Sequence, residues 1–511
     1  MTNLTPETFA LVTRTLILGL GETGDASARW LARCQKPLRL ADTRANPTGM
    51  VALQEAMAQH DVEWALGQTD LSIDLLENID AVVISPGLSP HHAPVLELLN
   101  AARSKGIEVI GEIELFARAL TRLKAEQNYQ PFVLGVTGTN GKTTVTALTR
   151  HMLEAAGIFA KAAGNIGPSA LTALMQALDA KALPQAWVLE LSSFQLHTTQ
   201  SLQFDASVVL NVTQDHLDWH LNMHDYAAEK ARIFKYSAVQ IVNRDDPIVM
   251  DMIDSIEAQT VRSFGRDAPI YCHDLGVTHE QSVRWLVSAE PLDFEDEPSP
   301  VSRRKKNAPA PTRQAGRVLQ LMPVDALKLV GMHNAMNVLA ALQLGRCVGA
   351  GWAPMLRSAV EYLGEPHRMR FVRTVQEIDF YNDSKGTNVG ATLAGIEGLD
   401  RRMILIAGGL TKGQDLTPLL PVILTLVKAV VLIGQDAPLF DALFAGHQIS
   451  FEHACDMNEA VAKAYAASQA GDAIVLSPAC ASFDMFKNYP HRGEMFIDAV
   501  NELALSRGEV V

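Results

Sequence analysis

Short apolar runs rich in β-branched residues recur along the chain, each breaking into glycines or small polar residues before a stretch with helical spacing. Residues 131–136 form one such run, which gives way to Thr137-Gly138-Thr139-Asn140-Gly141-Lys142-Thr143-Thr144 and resumes as good helix formers over 145–156. This predicts a strand, a loop and a helix. Towards the N-terminus, residues 15–20, 37–40, 81–84 and 108–114 read as strands and 26–33 as a helix. Towards the C-terminus, 186–191, 206–211 and 239–243 are expected strands, a helix follows the string 331–337 and runs to 347, a second ends near 364, and strands return at 403–407, 429–434 and 473–476. Such alternation predicts an α/β fold of mainly parallel sheets with helices on both faces. The pattern is interrupted at Glu365-Pro366-His367-Arg368, where proline and a short polar run make a hinge. Residues 291–316, acidic, then basic at Arg303-Arg304-Lys305-Lys306, then rich in Pro and Ala, read as a flexible exposed loop.

Length and composition narrow the class. At 511 residues the chain exceeds one core, and about 150 residues per domain suggests three or four. A net charge of −14 and few basic clusters argue against nucleic acid or an anionic membrane as partner, so an anionic substrate would need a locally basic pocket. Five scattered cysteines without CxxC spacing indicate neither a disulfide framework nor a zinc site, and fit a reducing, cytoplasmic setting. The N-terminus carries Glu7 before any apolar run and lacks a basic leader, and the longest apolar stretch, 419–433, is interrupted by Pro421 and Lys428, so neither a signal peptide nor a membrane span is expected.

The glycine-rich loop before residue 145 has the chemistry of a phosphate cradle. Gly138, Thr139, Asn140, Gly141 and Thr144 offer close-approaching amides at a helix N-terminus, Lys142 reaches terminal phosphates, and the Thr143 hydroxyl suits Mg2+. Val136 stands where the full Walker pattern has glycine, so the match is the shorter GTNGKT form. A second glycine loop, Gly19-Leu20-Gly21-Glu22-Thr23-Gly24, is followed about 20 residues on by Asp42-Thr43-Arg44, the layout of a dinucleotide fingerprint. A nicotinamide dehydrogenase would explain this loop, but Glu22 lies where a pyrophosphate tolerates no charge, and no catalytic base follows. Polar residues close three central strands, at Glu190-Leu191-Ser192-Ser193-Phe194-Gln195, Asn211-Val212-Thr213-Gln214-Asp215-His216 and Asn243-Arg244-Asp245-Asp246. Taken singly, His216 is a hydrogen-bonded structural histidine, Lys230 a solvated helix residue, Asn165 a turn residue, Thr387 and Ser482 caps, and Cys480 a packing residue.

The joint pattern resembles the Mur ligase family. The strings that carry the resemblance are residues 137–143, 190–195 and 211–216, Gly331-Met332-His333-Asn334, Pro366-His367-Arg368, Asn382-Asp383-Ser384-Lys385-Gly386-Thr387-Asn388 and Ser477-Pro478-Ala479-Cys480-Ala481-Ser482. Gly386 and Tyr489 depart from the alanine and phenylalanine frequent there, and 291–316 looks like an insertion. The resemblance implies an N-terminal Rossmann-like UDP-binding domain (1–111), a central phosphate-loop ATP domain (112–364) and a C-terminal Rossmann-like amino-acid domain (365–511). It implies a cytoplasmic ligase of peptidoglycan precursor synthesis that uses ATP, Mg2+, UDP-N-acetylmuramoyl-L-alanine and D-glutamate, acts as a monomer, and has no nucleic-acid or membrane partner. By resemblance, Lys142, His216, Lys230 and Arg368 are catalytic, and Thr143, Glu190, His216 and a carbamylated Lys230 hold metal. Asn337, Arg368 and Asp383 join residues 138–144 around ATP. Thr23, Asp42, Thr43, Arg44, Gly87 and Asn165 take the UDP-substrate, and Thr387, Lys412, Ser482 and Tyr489 take D-glutamate. Another Mur or folylpolyglutamate-type ligase, an NAD-dependent oxidoreductase and a regulatory ATP-binding protein are the competing readings.

Overall fold

The computed structural model describes residues 14–217, 219–291, 313–329, 331–399 and 401–509. Its strands gather into three sheets of five, nine and six strands. The first has the order Val62–Leu66, Leu38–Asp42, Thr15–Leu18, Ala81–Ile84, Glu108–Ile110, all parallel. Buried on both faces, its strands are apolar at successive positions: Ile17, Leu40 and Val83 pack on one side, Leu16, Leu18, Val82 and Ile84 on the other. The order reverses at Thr15–Leu18, so the crevice at its carboxyl end, lined by the first glycine loop, is the place for a ligand. The following helix, Glu22–Arg33, starts four residues before the expected position. It lies so close to the sheet that a Cβ on Gly24 would sit 1.9 Å from the Gly19 carbonyl oxygen. Gly24→Ala is therefore expected to cost about 1–3 kcal/mol, read as a lower unfolding midpoint; an unchanged midpoint would mean the loop shifts freely.

Residues 108–114 are not one strand. Extension stops at Ile110, and Glu112 opens the helix Glu112–Gln127. The apolar look of this segment belongs to a buried helical turn whose acids serve as acceptors. Glu112 accepts from the Leu171 amide at 2.5 Å, and Glu114 from the amides of Gln200 and Ser201 and the Ser201 hydroxyl.

The central sheet runs Ala160–Gly164, Ala186–Glu190, Phe132–Thr137, Phe204–Val209, Ser237–Asn243, Val261–Phe264, Leu275–Glu280, Val283–Glu290, Arg317–Pro323. It is parallel up to Leu275–Glu280 and antiparallel beyond, an extension the α/β alternation does not predict. Of the expected flexible loop 291–316, residues 292–312 lie outside the described ones. Its end is held: Arg313 is buried in an ion pair with Asp274, and Ala315 bridges to Tyr271. The helix Met332–Cys347 is buried along nearly its whole length and packs on Lys142–Ala155.

The third sheet has the order Arg370–Val375, Ile378–Asn382, Ala473–Leu476, Met403–Gly408, Val427–Ile433, Ser450–His453, parallel except for its first pair. The long apolar stretch divides into the helix Leu419–Leu426 and the strand Val427–Ile433. Among the described residues no helix is long and apolar enough to cross a membrane.

Candidate active site

The strand Phe132–Thr137 ends between its neighbours, with Val136 opposite Glu190 and Thr137 opposite Val209, so the loop after it faces Glu190 and Asn211. Asn211 holds that loop from the side: it accepts from the Asn140 amide at 2.8 Å and donates to the Asn140 carbonyl at 3.1 Å, while its own carbonyl takes the Thr139 amide. Gly141 turns the chain into the helix at φ 83°, and a Cβ there would lie 2.5 Å from Asn337 Oδ1. No other residue meets both demands. Lys142 donates to the Gly138 and Thr139 carbonyls, 2.8 Å each. Burial pushes its pKa down, against the opposing pull of Glu190 and Asp215.

Glu190 accepts from Asn165 Nδ2 at 2.7 Å through one oxygen, and its other oxygen is buried without a hydrogen-bond partner. An orphaned carboxylate oxygen facing a phosphate loop fits a divalent cation, whose charge would satisfy it. Lys230 is 1% exposed, donates to the Gly138 carbonyl at 3.0 Å and lies over the Tyr226 ring. Burial first, and then Lys142, hold its pKa well below the usual lysine value. This is not a solvated helix residue. His216, at φ 56°, packs its ring against Phe194 and lines the same cleft. Among the described residues no group of three or more His, Cys, Asp or Glu side chains converges as a metal site by itself.

The third domain closes the cleft, which has a volume of about 350 Å3. Arg368 Nη2 donates to the Thr143 hydroxyl at 2.5 Å, and Asn388 Nδ2 donates to Asn140 at 3.3 Å and Asp215 at 3.2 Å. Asp215 and Asn388 were legible only as parts of longer strings; nothing local signals that they meet. Asp383 accepts from the Ser477 hydroxyl and the Met369 amide, and burial pushes its carboxyl up to about 7. Burial, followed by Arg368, lowers Lys385 to about 8, and its amine lies 3.9 Å from the centre of the Tyr489 ring. Thr387, Lys412 and Ala481 line the cleft, with the buried Ser482 next in chain. Cys480 is fully buried and its thiol is pushed up to about 12 by burial, as suits packing.

Of the residues expected to take a UDP-substrate, Asn165 lines this cleft, and the others belong to the first sheet's carboxyl end. Thr23 meets the Ser85 hydroxyl at 3.2 Å. Asp42 is already engaged: its oxygens accept the Leu20 amide, the Arg44 amide and the Arg44 guanidinium. Burial alone would raise its pKa, but these contacts outweigh it and hold the carboxyl below its usual value. Asp42 thus braces the glycine loop and aims Arg44, which is half exposed.

Three α/β units, with a phosphate-loop cleft between the second and third and cations from both beside the loop, define a multidomain nucleotide-binding enzyme. Family models match residues 13–111 (Mur ligase MurD-like, N-terminal domain), 136–295 (Mur ligase middle domain) and 367–480 (Mur ligase, glutamate ligase domain). The chain is 57% identical over 509 residues to the UDP-N-acetylmuramoylalanine--D-glutamate ligase of Bordetella bronchiseptica, covering 99% of this chain and 100% of that one. Against the protein of the same name from Ralstonia nicotianae it is 48% identical over 493 residues, 96% and 97% of the two chains. The chain belongs to the Mur ligase family. Its fold is similar to that of MurF ligase from Thermotoga maritima in complex with ADP (TM-score 0.57, 14% identity, 97% of this chain and 99% of that). It is also similar to the UDP-N-acetylmuramate-alanine ligase MurC of Thermotoga maritima (TM-score 0.54, 15% identity, 96% and 100%).

Proposed function

We infer that this chain is an ATP-dependent amide-bond ligase that joins D-glutamate to UDP-N-acetylmuramoyl-L-alanine in peptidoglycan precursor synthesis. The observation that carries this reading is the 57% identity along 99% of the chain to ligases of that name. The γ-phosphoryl group of ATP passes to the alanyl carboxylate, giving ADP and an acyl phosphate. The D-glutamate amine then attacks the acyl carbon, a tetrahedral intermediate forms, and phosphate leaves as the amide closes. Both steps gather negative charge on oxygens, so the protein's work is positioning and electrostatic stabilisation.

Lys142 and the loop amides hold the terminal phosphates, and Arg368 approaches them from the hinge, where it now rests on Thr143. Thr143, Glu190, His216 and a carbamylated Lys230 would hold Mg2+, which neutralises phosphate charge when bound. For carbamylation an amine must be unprotonated, which the lowered pKa of Lys230 favours. Asn337 and Asp383 border the nucleoside. Thr387, Lys412, Ser482 and Tyr489 supply hydroxyls and a cation for the carboxylates of D-glutamate. Thr23, Asp42, Thr43, Arg44 and Gly87 seat the UDP end, and Asn165 the path inward. We divide the domains at 111/112 and 364/365 and take the enzyme to be a cytoplasmic monomer.

The direct test is phosphate release from ATP with UDP-N-acetylmuramoyl-L-alanine and a panel of amino acids of both hands. Release dependent on D-glutamate is expected. Release with L-lysine or diaminopimelate instead would keep the family and overturn the acceptor assignment, and no release with any acceptor would leave a nucleotide-binding regulator.

A further inference from the structure

The helix Val389–Leu399 follows the loop that carries Asp383, Lys385 and Thr387, and within its 11 residues glycine stands at 390, 395 and 398. A glycine inside a helix gives up stability that alanine would keep, so each of these needs a reason. Gly395 has one in its own domain, where a Cβ would lie 3.2 Å from Met369 Sδ and 3.3 Å from Asp383 Oδ2. Gly390 and Gly398 have theirs across the cleft. A Cβ on Gly398 would lie 2.6 Å from both Cε1 and Nδ1 of His333 and 3.3 Å from the Gly331 Cα, all in the central domain. A Cβ on Gly390 would lie 3.0 Å from Thr213 Oγ1 and 3.2 Å from Asn140 Nδ2, also in the central domain.

The two glycines are eight residues apart, with Ala394 midway and lining the cleft, so they share one face of the helix. About 12 Å of helix axis separates them. The near end is seated beside the phosphate loop, where Asn388 accepts the Ala391 amide at 2.8 Å on Oδ1 while its Nδ2 donates to Asn140 and Asp215. The far end is seated on His333. That ring is backed by Gly331, where a Cβ would lie 2.8 Å from its Cε1, so it has no room to give on that side. Its Nδ1 is buried without a hydrogen-bond partner. The far seat therefore holds by shape and leaves one polar atom unsatisfied, which suits a contact that has to open again.

We propose that Gly390 and Gly398 are positioning residues: they let the helix Val389–Leu399 lie directly on the central domain at two points. These set the depth and tilt at which the third domain presents the incoming amino acid to the phosphate loop, a role that rests on the ligase reading. One contact would leave a pivot, whereas two contacts and the hinge fix a plane.

Gly398→Ala in the full chain tests this. Its Cβ meets His333 first, and restoring an ordinary contact moves the far end of the helix by about 1 Å. Misplacement on that scale should lower D-glutamate-dependent phosphate release by about 10–100-fold. Gly390→Ala, which has only tenths of an ångström to recover, should cost no more than about threefold. The thermal unfolding midpoint of Gly398→Ala should be at or above the parent's, since alanine favours the helix. In a His333→Ala background, where the ring is gone, Gly398→Ala should cost less than about threefold. Hydrogen exchange reads the seat without activity: the first amides of Met332–Cys347 lack intrahelical acceptors, so their exchange reports cover, and it should quicken severalfold in Gly398→Ala. Turnover within about threefold of the parent in Gly398→Ala, an undiminished loss in the His333→Ala background, unchanged exchange, or a lowered midpoint would each overturn the proposal. Failure of the ligase reading shows separately, as a parent enzyme without D-glutamate-dependent phosphate release whose exchange still responds to Gly398→Ala.

Discussion

Lys142→Ala is expected to lower D-glutamate-dependent phosphate release by about 10²–10³-fold or more, the scale for removing a single preorganised donor to developing negative charge. The expectation rests on where the amine is held. It opens the helix Lys142–Ala155 and is curled onto the Gly138 and Thr139 carbonyls, inside a cleft where water cannot screen the phosphates. The fold should survive. Alanine is a good helix former, and Gly138 keeps a donor in Lys230. Thermal unfolding alongside phosphate release separates an inactive folded variant from an unfolded one. A folded variant turning over within about tenfold of the parent would remove Lys142 from phosphoryl transfer.

Lys230→Ala should reduce turnover by about 100-fold, the upper range for losing a group that orders a metal site. ATP binding should remain, and short-chain carboxylic acids should restore part of the activity by placing an oxygen where the carbamate stood. The reasoning follows the proton. Burial and Lys142 hold the Lys230 pKa down, so at any given pH a larger share of the amine is free to react with carbon dioxide, and that share shrinks as pH falls. Activity should therefore decline towards acid and in buffer stripped of carbon dioxide. A carbon-13 carbamate signal from labelled bicarbonate should be present in the parent and absent from Lys230→Ala. Full activity in that variant would sink the carbamate assignment.

What could be read from the chain followed how local the cause was. The phosphate loop is visible because glycines, lysine and hydroxyls must be consecutive to cradle a phosphate, and Glu190 because an apolar strand has to end at it. Lys230 was opaque in its own surroundings: Met223–Lys235 reads as a charged helix, and only its placement under the loop buries that lysine. The strands Leu275–Glu280 and Val283–Glu290 turn about Gln281 and Ser282, at positive φ without the glycine or asparagine that would announce a hairpin, and Arg317–Pro323 joins them only across the long excursion. Asp42 marks a further limit. Its position matched a ribose contact, while its oxygens turn inward to Leu20 and Arg44. Spacing places a side chain but does not reveal which way its acceptors point.

The junction after Gly111 shapes the mechanics of the whole molecule. Glu112 and Glu114, reaching across to Leu171, Gln200 and Ser201, tie the helix Glu112–Gln127 to a helix and a loop of the central domain two residues past the last strand of the first sheet. Trp219 adds a peg on the opposite flank. The other junction is of a different kind: Gly364, His367 and Met369 all have positive φ within six residues, and the polar links across it among the described residues include those from Arg368 and Asn388. The build is thus that of a two-part caliper, the first and central domains joined across several elements and the third held through its hinge and the contacts of Arg368 and Asn388. On the ligase reading the third domain carries Arg368 and Asp383 to the nucleotide as well as the side chains for the incoming amino acid, so opening would change the distance to both.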